Sequence, residues 1–261
     1  MFILKYYGKT DPGKKRLKNE DSFVIDPNGI FCAVADGMGG APAGDIASRL
    51  FCETSSSVFE GADTENLEDS LSRIRKTFSL ANSRIIAHGI KYPSDEGLGC
   101  TAELLTFAHN SYVLGHIGDS RVYRFRNGKL FQLTTDHSLV QSQVENGILR
   151  PEQARTHSLR HVILKALGIS MEPAFDVIEG TLEKKDLFLL CSDGLSDMVE
   201  DRRIEEILSK QMPHEVSAEM LIESANESGG NDNITVVLVG VEDVRNCSSI
   251  YNDIDIADAA R

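Results

Sequence analysis

Short apolar segments follow one another between residues 101 and 133, and each has the length of a β-strand. Asn127 and Gly128 separate the last two of them. Asn-Gly between alternating apolar residues is the strongest short signal for a two-residue hairpin turn. Strands joined by so short a turn pair antiparallel, so this part of the chain predicts a β-meander.

The other predicted elements do not alternate strand by helix. Strands are predicted at residues 23–25, 30–35, 175–178, 187–191 and 234–241, and helices at residues 202–210 and 215–227. An earlier helix follows from an apolar stripe at steps of four and three, formed by Leu67, Leu71, Ile74, Phe78, Ala81 and Ile85. Because regular strand-helix-strand units are missing, the pattern predicts one α+β domain built in layers.

Charge and cysteine content exclude several classes of protein. The formal net charge is −13, and the longest basic cluster is Lys14-Lys15-Arg16, whereas a duplex binder needs a basic stripe to displace counterions. Five cysteines without a C-x-x-C pair indicate neither a disulfide framework nor a zinc knuckle. Apolar runs such as residues 234–241 have strand length. We therefore expect a cytoplasmic protein that binds neither nucleic acid nor membrane.

Four aspartates flank predicted strands and have glycine neighbours. Asp36 ends the strand at residues 31–35, Asp193 follows residues 187–192, and Asp232 precedes residues 234–241. Asp119 lies between two further strands in the sequence Gly-Asp-Ser-Arg. Strand ends of one sheet can meet at one rim, where gathered carboxylates repel unless cations neutralise them. All-oxygen ligands suit Mg²⁺ or Mn²⁺ rather than zinc.

Arg16 stands close to two further carboxylates, Glu20 and Asp21. A guanidinium is a planar fork that can hold two phosphate oxygens at once, so Arg16 is a candidate substrate clamp. The alternative is a surface arginine that pairs with Glu20 or Asp21. The motif alone leaves both open.

Taken in order, these segments resemble a known family. The chain is similar to the metal-dependent (type 2C, PPM) protein phosphatases, in their bacterial Ser/Thr branch, from about residue 5 to residue 241. The order and spacing of the matching motifs carry the resemblance. They are Arg16-x-x-Asn19-Glu20-Asp21, Asp36-Gly37-Met38-Gly39-Gly40, Gly99-Cys100-Thr101, Gly118-Asp119-Ser120-Arg121, Asp136-His137-Ser138, Ala166-Leu167-Gly168, Ser192-Asp193-Gly194-Leu195 and Gly230-Asn231-Asp232-Asn233-Ile234-Thr235.

The resemblance implies a fold and an activity. The fold is a four-layer α-β-β-α sandwich, in which helix pairs flank two antiparallel β-sheets. The activity is hydrolysis of phosphoserine and phosphothreonine in proteins by a water that two Mg²⁺ or Mn²⁺ ions activate. We expect a monomer that acts on phosphoproteins and opposes a bacterial Ser/Thr protein kinase.

The resemblance also implies roles for individual residues. Asp36 bridges the two metals, Gly37 gives its carbonyl to one, and Asp193 and Asp232 complete the other. A third, weaker metal matches Asp119 together with Asp193. Glu20 and Asp21 act mainly through waters, and Arg16 binds the phosphoryl group. The catalytic set is thus Arg16, Asp36, Asp193 and Asp232.

The predicted domain covers residues 1–241 and includes a mobile flap at about residues 138–168, followed by an acidic, weakly ordered tail at residues 242–261. Met38 departs from the eukaryotic pattern, which has a histidine proposed to protonate the leaving group. That departure leaves the general acid open, with His137 as one candidate.

Three competing classes of protein each require particular residues, whose presence can be checked in the sequence. Cysteine-nucleophile phosphatases need Cys-x5-Arg, and no cysteine here has an arginine six residues on. A zinc hydrolase needs histidine or cysteine ligands, but His157-x-x-x-His161 lacks the glutamate of H-E-x-x-H, and we expect both histidines on an exposed flap helix. A catalytically inactive phosphoprotein-binding relative would be expected to lose metal carboxylates, whereas all four aspartates are present.

Overall fold

The computed structural model of the chain describes residues 3–38, 43–62 and 66–242, together with the backbone of residues 255–256. Its strands are β1 (Ile3–Asp11), β2 (Asp21–Ile25), β3 (Phe31–Met38), β4 (Gly99–Cys100), β5 (Ala102–Ala108), β6 (Ser111–Ile117), β7 (Arg121–Arg126), β8 (Lys129–Gln132), β9 (Asp176–Thr181), β10 (Leu187–Cys191), β11 (Ile234–Glu242) and β12 (Asp255–Ile256). Its α-helices are α1 (Gly44–Phe59), α2 (Leu67–Lys91), α3 (Leu139–Glu145), α4 (Pro151–Ala154), α5 (Asp193–Ser196), α6 (Asp201–Leu208) and α7 (His214–Glu227).

The strands form two sheets. The first has the order β2-β3-β5-β6-β9, with β4 paired to β3, and all its pairs are antiparallel. The second has the order β12-β1-β11-β10-β7-β8 and is antiparallel except where β12 lies parallel to β1. The chain crosses from the first sheet to the second between β6 and β7, which puts the residues of that link at the edge of both sheets.

Three apolar layers hold the sheets and helices together. Helices α1 and α2 pack on the first sheet, and α6 and α7 pack on the second. The third layer lies between the two sheets, where Val34, Leu114, Phe188 and Val237 are fully buried. The order helix, sheet, sheet, helix confirms the predicted four-layer α-β-β-α sandwich of the α+β class.

Two local predictions are confirmed at the level of single residues. Asn127 and Gly128 both have positive φ, at 52° and 76°, as the tight turn between β7 and β8 requires. The predicted stripe lies on α2, where Ile74, Phe78 and Ile85 are fully buried against the first sheet. Helix α1 and strand β1, by contrast, were missing from the sequence prediction.

Residues 138–168 lie beside the sheets as a largely irregular insertion that contains α3 and α4. Its ends are fixed by isolated bridges from Ser138 to Ile163 and from Cys100 to Leu167. The prediction that His157 and His161 lie on a flap helix is wrong, because α4 ends at Ala154 and the chain beyond it continues in turns. We keep the name flap for residues 138–168.

Within the described parts of the chain, no helix is both long and apolar enough to cross a membrane. The predicted tail at residues 242–261 falls almost wholly outside the described residues. Its exceptions are Glu242, which ends β11, and residues 255–256, whose backbone pairs with Tyr7 and Gly8 of β1.

Candidate metal centre

A cavity of about 510 Å³ opens at the edge that the two sheets share. Its lining is dominated by carboxylates, which come from five separate parts of the sequence. They are Glu20, Asp36, Asp119, Asp193, Asp197 and Asp232, accompanied at the rim by Arg16, Gly37, Thr101 and Asn233. The structure therefore brings all four aspartates of the sequence prediction to one place.

These aspartates come from both sheets, and the expectation that strand ends of one sheet supply them is wrong. Asp36 lies within β3 of the first sheet, while Asp193 follows β10 and Asp232 precedes β11 of the second. Asp119 lies in the link that crosses between the sheets. Stacking the sheets face to face aligns their edges, so the site forms only when the sandwich is assembled.

The backbone of Asp36 is held by Thr101. The Asp36 amide donates to Thr101 Oγ1 over 2.9 Å, and the Thr101 amide donates to the Asp36 carbonyl over 2.9 Å. Thr101 Oγ1 is also 2.7 Å from Ser120 Oγ, next to Asp119. Gly118 packs against Thr101 with φ of +114°, and a Cβ there would lie 2.5 Å from Thr101 Cγ2. One threonine thus couples the positions of two cavity carboxylates.

Asp21 lies directly behind Asp36, opposite it in the register of β2 and β3. Its Oδ2 accepts hydrogen bonds from Ser192 Oγ at 2.7 Å and from Thr235 Oγ1 at 2.6 Å. Burial raises the pKa of Asp21 to about 6, although the two hydroxyls oppose the shift. Asp21 therefore links the strand of Asp36 to the strand ends that carry the second sheet's aspartates.

Gly37 and Glu20 form the wall nearest to α1. The Gly37 amide donates to the Glu20 carbonyl over 3.1 Å, and the Glu20 amide donates to Asn233 Oδ1 over 2.8 Å. A Cβ at Gly37 would lie only 2.2 Å from the carbonyl oxygen of Gly44, at the start of α1. Only glycine therefore fits at position 37, where the chain borders the cavity.

The charged forms of the cavity carboxylates are less favourable than they would be in water. Burial, followed by repulsion from the neighbouring aspartates, raises the pKa of Asp36 and of Asp193 well above the ordinary value. Burial also raises the pKa of Asp119 to about 7, with Asp136 and Asp197 adding to the shift. These groups lie where negative charge is unfavourable unless positive charge is close.

Three of these side chains have an oxygen that lacks a partner. Among the described residues, Oδ1 of Asp21, of Asp119 and of Asp193 is buried and makes no hydrogen bond. Buried polar atoms are otherwise satisfied in more than nine cases of ten, roughly. Clustered, unpaired carboxylate oxygens with a backbone carbonyl nearby form a ligand set that fits hard divalent cations such as Mg²⁺ and Mn²⁺.

Arg16 lies half-exposed at the mouth of the cavity. Its Nη2 is 2.7 Å from Oδ2 of Asp232. The alternative pairing with Glu20 or Asp21 is not what the structure shows. The guanidinium borders the space in front of the carboxylates, and its position is compatible with a clamp on an entering anion.

Another part of the mouth is formed by the flap, which the family resemblance implies for residues 138–168 beside the active site, but sequence reasoning named neither Arg160 nor Asp197 as part of the site. Arg160 Nε is 3.4 Å and His161 Nδ1 is 3.3 Å from Oδ2 of Asp197. His161, Asp193 and Asp197 have potential ligand atoms within 4.8 Å of one another. Asp197 follows the Asp193 motif by one helical turn, and that spacing was the available signal.

His137 lies outside the cavity lining and is unsuited to protonating a leaving group there. Its Nδ1 accepts a hydrogen bond from the Gly118 amide at 3.2 Å, and its Nε2 is 3.3 Å from Oδ2 of Asp176. Burial, reinforced by His116, lowers the pKa of His137 to about 4. The neutral ring supports the loop before Asp119.

Comparison with known proteins agrees with the fold. The family model for protein phosphatase 2C matches residues 13–234. The chain is 41% identical over 243 residues to the serine/threonine protein phosphatase PstP of Mycobacterium tuberculosis, which covers 92% of this chain. It is 36% identical over 235 residues to the serine/threonine phosphatase stp of Listeria monocytogenes, covering 88% of this chain and 93% of that protein.

One solved structure of a relative contains metal ions. The catalytic domain of PstP in complex with two manganese ions has a TM-score of 0.83 and 38% identity, covering 93% of this chain and the whole of that one. The chain spans about half of full-length PstP, 46% of its sequence.

Fold and site together define an α-β-β-α sandwich protein with a carboxylate centre for divalent cations. The matches identify that class more narrowly, and the chain belongs to the protein phosphatase 2C family.

Proposed function

We propose that the chain is a metal-dependent Ser/Thr protein phosphatase. The observation that carries this proposal is the set of buried carboxylate oxygens without partners around the cavity, in a chain of the protein phosphatase 2C family. PstP, whose catalytic domain binds two manganese ions, supports Mn²⁺ or Mg²⁺ as the cofactor. The substrates are phosphoserine and phosphothreonine in proteins, as the names of the relatives PstP and stp support.

The chain's own residues would divide the work as follows. Asp36, the carbonyl of Gly37, Asp193 and Asp232 would hold the two cations, with Glu20 and Asp21 acting through waters. Asp119 and Asp193 would hold a third, weaker cation. Arg16 would bind the phosphoryl oxygens of the substrate.

Two bound divalent cations lower the pKa of water from 15.7 to about 7 and neutralise charge on a transferring phosphoryl group. Thr101 and Gly118 keep Asp36 and Asp119 in place during the reaction, because their backbone positions are coupled. The flap, through Arg160 and His161, narrows the entrance.

We further propose that residues 1–241 are the catalytic domain, that residues 242–261 are an appended tail, and that the protein works as a monomer in the cytoplasm against a Ser/Thr protein kinase. Four described cysteines, Cys32, Cys52, Cys100 and Cys191, are buried and free, which supports a reducing compartment.

The test is phosphate release from a phosphothreonine peptide with saturating Mn²⁺. We expect turnover that EDTA stops, and no turnover by Asp193→Asn or Asp232→Asn. Asp95→Asn, at a surface carboxylate paired with His88, is the matched control and keeps full activity. Near-normal turnover by either cavity variant would reject the proposal.

The rival function is a binding module without catalysis. It predicts that the wild-type chain binds a phosphopeptide but releases no phosphate from either a peptide or an aryl phosphate. Measuring binding and release on the same peptide separates the two functions.

A further inference from the structure

A basic loop borders the mouth of the cavity on the side of Arg16. It connects β1 to β2, and residues 14–18 contain four of the chain's 27 lysines and arginines in five positions. These are Lys14, Lys15, Arg16 and Lys18, and all of them are exposed, as is Leu17. In a chain of net charge −13, this density of positive charge is local and lies next to the carboxylate-lined cavity.

The loop is attached to the segment that supplies Asp232. Asn233 Nδ2 donates to the carbonyl of Pro12 at 3.0 Å and to the carbonyl of Lys18 at 2.9 Å, so one side chain holds both ends of the loop. The Lys14 amide donates to the Gly230 carbonyl over 2.8 Å. The backbone of the loop therefore keeps a fixed position relative to the cavity.

The lysine side chains of the loop are not neutralised by the protein. Within residues 3–38, 43–62 and 66–242, Lys14, Lys15 and Lys18 form no ion pair, whereas Lys9 on β1 contacts Glu219 at 2.9 Å. Arg16 alone in the loop pairs, and its partner is Asp232 of the cavity. Three cations are thus left free to meet charges from outside.

A phosphoprotein substrate would meet this loop as soon as its phosphate enters the cavity. Charges further away than about 8 Å are largely screened at physiological ionic strength, so the charges beside the entrance decide the local attraction. An extended chain spans about 3.5 Å per residue, so a distance of about 8 Å reaches two to three residues on either side of the phosphorylated one. Carboxylates at those positions would be attracted here and repelled by the rest of the acidic surface.

We propose that Lys14, Lys15 and Lys18 form a docking surface that selects phosphopeptides with Asp or Glu beside the phosphorylated residue. Leu17, fully exposed among them, offers an apolar contact to the same peptide. This proposal rests on the proposed phosphatase function and names its substrate class. Rim charges of this kind act chiefly on the encounter rate and its salt dependence.

The test uses two phosphothreonine peptides of equal length, one with Glu and one with Gln at the three positions on each side. We expect the wild type to prefer the Glu peptide about tenfold in kcat/KM, and increasing salt to reduce the preference. The triple variant Lys14→Gln, Lys15→Gln, Lys18→Gln should treat both peptides alike while its kcat on an aryl phosphate stays unchanged.

The matched control makes the same change of net charge elsewhere, with Lys76→Gln, Lys91→Gln and Lys210→Gln, and it should keep the preference. The docking surface would be overturned if the wild type showed no preference for the Glu peptide. It would also be overturned if the control variant lost this preference as much as the triple variant does. Failure of the phosphatase function is a separate result, seen as no hydrolysis of the aryl phosphate. In that case, fluorescence anisotropy of both peptides still tests the docking surface. A tenfold ratio of the two Kd values that the triple variant loses supports the docking surface, and equal Kd values for the two peptides overturn it.

Discussion

Asp21 and Asp36 face each other across the β2–β3 pair, with Asp21 buried and Asp36 partly buried beside the cavity. Directly opposed residues have Cβ atoms about 5 Å apart, so two carboxyls are forced together where water is scarce. The hydroxyls of Ser192 and Thr235 satisfy only one oxygen of Asp21. The fold thus holds the two carboxylates in positions where they repel each other, and bound cations would offset this repulsion.

This arrangement predicts that removing one charge stabilises the metal-free protein. Asp36→Asn should raise the free energy of unfolding in EDTA by about 0.5–2 kcal/mol, the range typical of relieved strain at active sites. It should also abolish the rise in Tm that Mn²⁺ gives the wild type. Chemical denaturation in EDTA and thermal scans with Mn²⁺ measure the two effects.

Asp186→Asn is the control for that experiment. Asp186 is more deeply buried than Asp36, and Arg126 contacts it with two nitrogens at 2.6 Å. Breaking this pair should cost about 3 kcal/mol, because the guanidinium loses its partner. Destabilisation by both substitutions in EDTA would contradict the account.

Thr101 should affect catalysis through the position of Asp36. Thr101→Val leaves the buried Asp36 amide without an acceptor, which costs about 1–3 kcal/mol of stability. It should also lower kcat by about 10- to 100-fold, since a misplacement near 1 Å can have that effect. Steady-state kinetics on an aryl phosphate, with folding checked by circular dichroism, measures the loss.

Thr106→Val is the matched control for Thr101→Val. Thr106 is buried in the same strand region and donates to the Ile30 carbonyl at 3.0 Å, away from the cavity. It should lose stability but keep kcat. Equal kcat losses in the two variants would show that Thr101 acts only through stability.

Glu103 and His116 predict a pH dependence of stability. They are cross-strand partners on β5 and β6, fully buried, with Oε1 2.6 Å from Nδ1. Burial lowers the pKa of His116, but the Glu103 carboxylate and the Thr135 carbonyl outweigh it and raise the pKa from 6.5 to about 9. A raised pKa means that the folded state binds the His116 proton more tightly, so the stability that this one proton contributes is complete below about pH 6.5 and is lost as the pH rises through about 9.

In Glu103→Gln the imidazolium loses its carboxylate. The variant should be less stable than the wild type at pH 6.5, and the difference should shrink towards pH 9.5. Urea unfolding at several pH values measures it, with Glu219→Gln, which loses only the surface pair with Lys9, as the control. A stability difference independent of pH would disprove the assignment.

Arg16 should act on substrate binding. Arg16→Lys keeps the charge but loses the fork that holds two oxygens, so KM for an aryl phosphate should rise, with a larger rise in Arg16→Ala. We expect about tenfold for alanine, as for a charge-assisted hydrogen bond of about 1.5 kcal/mol. Arg202→Ala, an exposed arginine on α6, is the control, and an unchanged KM in Arg16→Ala would exclude the clamp.

The features that the sequence predicted correctly are local. The hairpin at Asn127-Gly128 depends on two adjacent residues, and the α2 stripe depends on a spacing of three and four. Helix α1 was missed because it is rich in Ser and Thr, which have low helix propensity. In the structure Thr54 and Ser55 bond back to the carbonyls of Leu50 and Phe51, and packing on β3 makes the segment helical.

The features that escaped prediction depend on register and on contacts between distant segments. Glu103 and His116 meet only because β5 and β6 pair in one register out of several. His161 contacts Asp197 at the mouth of the cavity because of the path that the flap takes. No periodic pattern in the sequence predicts that path. The four aspartates could be named because glycines and strands mark them, but their origin in two different sheets could not be read from the sequence.

The central claim is that Asp36, Asp193 and Asp232 share a pair of divalent cations, and anomalous diffraction tests it most directly. Crystals grown with Mn²⁺ and measured at the manganese absorption edge should show two strong peaks among these three carboxylates, about 3.5–4 Å apart. Asp193→Asn crystals should lose at least one of them. Wild-type crystals with no manganese peak within coordination distance of these carboxylates would contradict the account.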